Sequence, residues 1–307
     1  MNPTRLVRIA LVAAAAWVGA MPAHAALRVL ACEPEWGALV RELAGDRADV
    51  FVATGPLQDP HHVQARPSLI ARARSADLLA CTGADLEAGW LPVLLQQSGN
   101  PRIQPGQPGH FAAADHVRLL DVPARIDRAD GDVHAQGNPH LHLDPRNLAR
   151  VADALAQRLA AIDADGRDAY ARRLADFAAR WAAATTRWQT QAAPLAGLPV
   201  VVQHKSWTYL SSWLGLREVQ TLEPKPGIEP SAGHLESVLA SLKTTPARAV
   251  LVASYQDPRA SQWLSARARL PVVTLPFTVG GTPAAKDLFG LFDDTLARLA
   301  QAAAQQP

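Results

Sequence analysis

Short apolar runs and amphipathic stretches alternate along this chain from Ala26 onward. "LRVLAC" predicts a strand, "EWGALVRELAG" a helix stopped by glycine, "ADVFVATG" a second strand and "PSLIARARSA" a second helix. "ADLLACTG" and "LEAGWLPVLLQQSG" repeat the pair. Strand and helix alternating through short connections predict parallel βαβ units, and nearly continuous apolar strands fit a sheet covered on both faces.

Residues 97–137 break that rhythm with proline, glycine, aspartate and histidine, and predict a long loop carrying at most one short strand, "HVRLLDV". Two alanine- and arginine-rich helices follow, "NLARVADALAQRLAAI" and "GRDAYARRLADFAARWAAATTRWQTQ", separated at "DADG". The second is long enough to act as a strut between halves. The alternation then resumes with "LPVVVQ", "SWTYLSSWLG" (Ser206 as its cap), "REVQTL", "SAGHLESVLASLKT" (Ser231 as its cap), "ARAVLVAS", "SQWLSARAR" and "LPVVTL". "TPAAKDLFGLFDDTLARLAQAAA" closes the chain as a predicted helix. The fold class is therefore α/β, with two lobes, each a mainly parallel sheet flanked by helices, joined by a long linking helix. The corresponding boundaries are 1–25, 26–144, 145–193 and 194–307.

The first of these segments, "MNPTRLVRIALVAAAAWVGAMPAHA", has a basic start, an apolar middle and small residues at Ala23 and Ala25. It reads as a secretory signal peptide cleaved after Ala25, which places the mature chain in the periplasm. Its apolar run is short for a membrane span. Arg28 separates Cys32 from that run, which argues against lipid attachment at this cysteine. Export permits a disulfide between Cys32 and Cys81, the only cysteines, but two buried free thiols fit the sequence equally well.

Of the 307 residues 49% are hydrophobic and 19% charged, as in an ordinary globular protein. The formal charge is +2, and Arg5 and Arg8 of the signal segment account for all of it. A neutral body excludes a broad basic field for nucleic acid.

The candidate chemistry lies in the histidines. His61 and His62 follow the second strand, His140 and His142 lie in the loop before the linking helices, and His204 directly follows "LPVVVQ". Strand ends of this kind face the cleft in doubly wound folds, so three loops would deliver imidazoles to one place. Neutral imidazole is the commonest protein ligand for zinc.

With these residues in view, the chain resembles the zinc- and manganese-binding solute receptors of ABC transporters. "DPHHVQARPS" is similar to that family's Asp-Pro-His segment, "NPHLHLDPRN" to its second signature, and "VVVQHKSWTYLSSWLGL" and "GIEPSAGHLESVL" to the segments that follow, in the same order. The resemblance implies metal ligands at His61, with His62 behind it, His140 and His204. It implies a carboxylate near the last helix, for which Asp287 is the match, unless water takes that place. It also implies a membrane ABC permease as partner and a monomeric receptor. Asn138 stands where the family usually has aspartate, which predicts weaker orientation of His140. His142 is a possible alternative ligand, with a partly exposed surface position as the simpler expectation. His110, His116 and His134 are expected to be solvated residues of the long loop. Three imidazoles suit zinc, with manganese or iron as the alternative cargo. Both methionines, Met1 and Met21, fall in the signal segment, which disfavours a cuprous carrier. An exported zinc hydrolase is the rival reading, although neither HExxH nor GxSxG occurs. For its base, Glu33, Glu35 and Glu229 are the acidic candidates, otherwise expected to be caps and surface charges.

Overall fold

The computed structural model describes residues 25–125 and 134–304. Residues 1–24 of the predicted signal segment and part of the histidine-bearing loop lie outside them. Among the described residues no helix is long and apolar enough to cross a membrane.

The first half builds strand β1 (Leu27–Ala31), helix α1 (Pro34–Ala44), β2 (Ala48–Val52), α2 (Pro67–Ser75), β3 (Leu78–Cys81), α3 (Leu91–Ser98) and a short β4 (His110–Ala112). The four strands form one parallel sheet in the order β2-β1-β3-β4. The second half repeats this topology. It comprises β5 (Pro199–Val202), α6 (Thr208–Leu214), β6 (Arg217–Thr221), α7 (Ala232–Ser241), β7 (Ala249–Ala253), α8 (Arg259–Ala268) and β8 (Val272–Leu275), with parallel order β6-β5-β7-β8. Between the halves run α4 (Pro145–Ile162) and the 26-residue α5 (Arg167–Ala192); α9 (Leu288–Ala304) closes the chain.

Side chains alternate across each sheet, as strand geometry requires. Val29 and Ala31 face an inner core, while Leu30 and Cys32 face an outer one packed by Leu69 of α2 and Leu94 of α3. Val200 and Val202 likewise face inward, whereas Val201 packs with Leu235 and Leu264. The inner cores of the two lobes are one continuous cluster, reaching from Val29 through Trp181 to Leu299.

Helix α5 carries the buried stripe Tyr170, Phe177, Trp181, Ala184, Trp188. At 1.5 Å per residue it spans roughly 39 Å. Trp181 packs on Phe289 and Phe292 of α9, while Arg180 reaches Glu42 of α1 at 2.6 Å. The strut thus holds elements of both halves.

Several expectations need correction. "HVRLLDV" is not a strand; among the described residues of the long segment the strand is β4, which starts six residues earlier and pairs with β3. Ser206 does not cap α6. It lies in a 3₁₀ turn, Lys205–Trp207, which places its side chain in the interior. Ser231 does cap α7, accepting the N–H of His234. The two cysteines form a disulfide, because β1 and β3 are neighbours and bring the two Cα atoms to 4.8 Å.

Candidate metal centre

His61 follows β2, His140 precedes α4 and His204 directly follows β5 by way of Gln203. The fold brings one ring nitrogen from each of the three to within 4.8 Å of the others. Their ring centroids form a nearly equilateral triangle of 5.5, 5.7 and 5.5 Å. A tetrahedral zinc with Zn–N bonds of about 2.1 Å needs nitrogens about 3.4 Å apart, so a small contraction would close the shell.

The orientation of each ring follows from its outer partner. Asp59 Oδ1 accepts the backbone N–H of His61 at 3.0 Å and faces its Nδ1 at 2.8 Å. Asn138 Oδ1 does the same for His140, at 3.0 and 2.9 Å. The intervening proline fixes φ and helps the Asx side chain curl back over the residue two places on. For His204 the partner is distant in sequence: Glu223, after β6, lies 2.6 Å from Nδ1. An oxygen facing Nδ1 puts the ring proton there and leaves the Nε2 lone pair for a metal. Nε2 of His61 and of His140 is buried with no hydrogen-bond partner, a cost that a bound cation would relieve. Burial above all, and then the nearby imidazoles of His204 and His61, hold His140 well below the usual histidine range, so that ring stays neutral.

Two cavities meet at the triangle. One, of about 490 Å³, is lined by Asp59, His61, His204, Glu223 and Tyr255. The other, of about 470 Å³, is lined by His134, His140 and His204.

Asp287 is not part of this cluster. Residues 282–287 are not helical as the sequence suggested; the helix begins at Leu288, and Asp287 Oδ1 accepts the N–H of Gly290 in its first turn. That carboxylate faces a different cavity, shared with Arg41 and Arg173. His142 lies outside this cluster and is not exposed. The 3₁₀ turn Leu141–Leu143 buries it fully, with Nε2 2.8 Å from Phe277 O and Nδ1 3.2 Å from Glu35 Oε1. Glu35 also accepts the hydroxyl of Thr278, so this group ties α1 to the second lobe. His110 bonds Ile103 O and His116 stacks on Phe111. His134 is not a solvated loop residue: its ring centroid is 5.3 Å from that of His61.

Glu33 is also buried rather than a surface charge. Its Oε2 accepts the hydroxyl of Thr82, and Glu87 accepts the N–H groups of Thr82 and Gly83. Burial, followed by repulsion from Glu87 and Glu35, raises the Glu33 carboxyl well above its usual range. Burial likewise pushes Glu87 up to about 7, against the pull of those backbone N–H groups. Of the acidic candidates, only Glu229 is exposed, at the rim of the larger cavity.

Asp59 was visible in the sequence as the Asp-Pro-His spacing, whereas Glu223 carried no local signal: strand pairing brings it to His204 from 19 residues away.

A cleft between two lobes of like topology, with convergent imidazoles at the strand ends, defines a two-lobed metal-binding protein. The chain belongs to the family "Zinc-uptake complex component A periplasmic", whose model matches residues 29–302. It is 26% identical to the high-affinity zinc uptake system protein ZnuA of Paracoccus denitrificans, over 99% of this chain and 98% of that one. It is 22% identical to the manganese ABC transporter substrate-binding lipoprotein PsaA of Streptococcus pneumoniae, over 78% and 76%. Its fold matches a crystal structure of ZnuA with TM-score 0.73 at 22% identity, covering 91% and 98% of the two chains. It also matches a zinc-bound ZnuA deletion mutant with TM-score 0.75 at 23% identity, covering 92% and 100%.

Proposed function

We propose that this chain is an exported receptor that captures one zinc ion between its lobes and hands it to a membrane ABC permease. The observation that carries this reading is the triangle of His61, His140 and His204, with an outer acceptor facing each Nδ1. The Nε2 atoms of these three rings are the proposed ligands. A fourth place falls to water or to His134. Neutral nitrogen donors favour zinc over manganese, which prefers oxygen-rich shells, so manganese is the weaker cargo. We take the mature chain to start after Ala25 and to act as a periplasmic monomer of three parts, 26–144, 145–193 and 194–307.

Capture in this reading needs no large folding step. The metal enters from the open cavities past Asp59 and Glu223, whose charges attract a cation. It meets rings already in the tautomer it requires and draws the three segments together.

Calorimetry on chelator-stripped protein tests the reading. One zinc site is expected in the wild type, and strong loss of heat in His61→Ala and His204→Ala. No zinc heat in the wild type, or unchanged heat in both variants, overturns it.

A further inference from the structure

Asn138 is 8% exposed and uses every polar atom it has. Its Oδ1 accepts the backbone N–H and the Nδ1–H of His140. A backbone N–H only donates, so the atom facing it must be the amide oxygen. Nδ2 then points across to the other lobe, donating to Lys205 O at 2.8 Å and Thr208 Oγ1 at 3.2 Å. Thr208 in turn donates its hydroxyl hydrogen bond to Asp121 Oδ2. The Asn138 backbone donates to Leu120 O and accepts the hydroxyl of Tyr209 at 2.7 Å. Lys205 directly follows His204. One side chain therefore touches His140 with one end and the His204 segment with the other.

A carboxylate could supply only the first half of this. Its second oxygen would face the Lys205 carbonyl, acceptor against acceptor, in a largely buried position. The charges point the same way. Asp59 and Glu223 already place two negative charges behind His61 and His204. Two charges match a divalent cation, and a third in the most enclosed arm would add a desolvation cost.

We propose that Asn138 is a positioning residue whose amide N–H₂ locks the His140 arm to the His204 segment, so that both rings hold the metal as one unit. This rests on the zinc-receptor reading, but the two fail separately: absence of zinc binding by the wild type sinks that reading, whereas the variants below bear on Asn138 alone.

The decisive experiment is Asn138→Asp in the full mature protein, with zinc release into excess chelator followed by stopped flow. Cobalt(II) absorption serves as a second readout of ligand geometry, and the apo melting temperature as a third. Release is expected to quicken about 10- to 100-fold, the usual effect of losing an outer-shell partner, with an altered cobalt spectrum. If a carboxylate were simply the better partner for His140, release would slow instead. Equal or slower release overturns the proposal, as does a lower apo melting temperature with release and cobalt spectrum unchanged. Should Asn138→Asp not fold, Thr208→Val removes one of the two acceptors facing Nδ2. A smaller increase in release rate is then expected, and no increase overturns the proposal.

Discussion

Asp59-Pro60-His61 and Asn138-Pro139-His140 are the same local device in two settings. In both, the first side chain accepts the N–H and ring proton of the third residue. Asp59 keeps 37% of its side chain in solvent and serves one histidine. Asn138 is enclosed and serves two lobes. Burial works against the Asp59 charge, yet hydrogen bonding from His61 prevails and holds its carboxyl below the usual range. The comparison teaches that a turn fixes ring orientation, while burial selects between an anionic and a neutral acceptor.

The largest way to break the comparison is to remove a ring. His140→Ala should abolish zinc heat in calorimetry. His61→Ala should leave a weak residual site, because water reaches that arm more readily; equal residual binding in both would show that the two settings do not differ. Next in size, the wall behind His61 depends on the Cys32–Cys81 link, since Trp90 in the segment after Cys81 donates to Pro60 O. Closing a loop of this sequence separation, 49 residues, is worth about 4 kcal/mol in the chain-entropy model. A Cys32→Ser, Cys81→Ser double variant should lose stability on that scale in denaturant titration, and zinc affinity should fall through His61.

Asp59→Asn sharpens the contrast further. It keeps the acceptor and removes the charge, so zinc affinity should fall by about tenfold, the lower end of outer-shell effects. An unchanged affinity would mean that charge at this position is immaterial.

Smaller effects follow from pH. Zinc affinity should decline below about pH 6.5, where free imidazole takes up protons. The apo fold should weaken there too: His140 refuses a proton that the unfolded chain accepts, so its contribution is present above the unfolded value and lost as pH falls. Glu33 and Glu87 act in the opposite sense. Both folded values are raised, so their contribution is full below about pH 4.5 and is lost as pH rises, for Glu87 through about 7. Apo Glu33→Gln should therefore gain on the wild type between pH 5 and 8 by roughly 2–4 °C in melting temperature, the shift made by about 1 kcal/mol. A constant difference across that range would contradict the assignment. Asp287→Ala should leave zinc affinity unchanged.

Much of this was legible in the chain because it is local. Short, nearly continuous apolar runs alternating with helical spacing marked both sheets, and Asx-Pro-His gave two of the three histidine segments with their partners. What escaped was set by tertiary packing. "HVRLLDV" has strand composition but no neighbouring strand edge, because β4 pairs with β3 first. His142 reads as a surface residue until α1 and the segment at Phe277 close over it. Asp287 matches the family's carboxylate position near the last helix, but the helix starts one residue later and the carboxylate faces another cavity. Glu223 is recognisable only once β5 and β6 are paired.

The apolar cluster shared by both halves has a mechanical consequence. Prising the lobes apart would expose Trp181, Phe292 and their neighbours to water, a penalty of roughly 1.5–3 kcal/mol for each large side chain. The frame is in effect a rigid jaw, and loading and unloading must be done by short chain segments flexing at its lip.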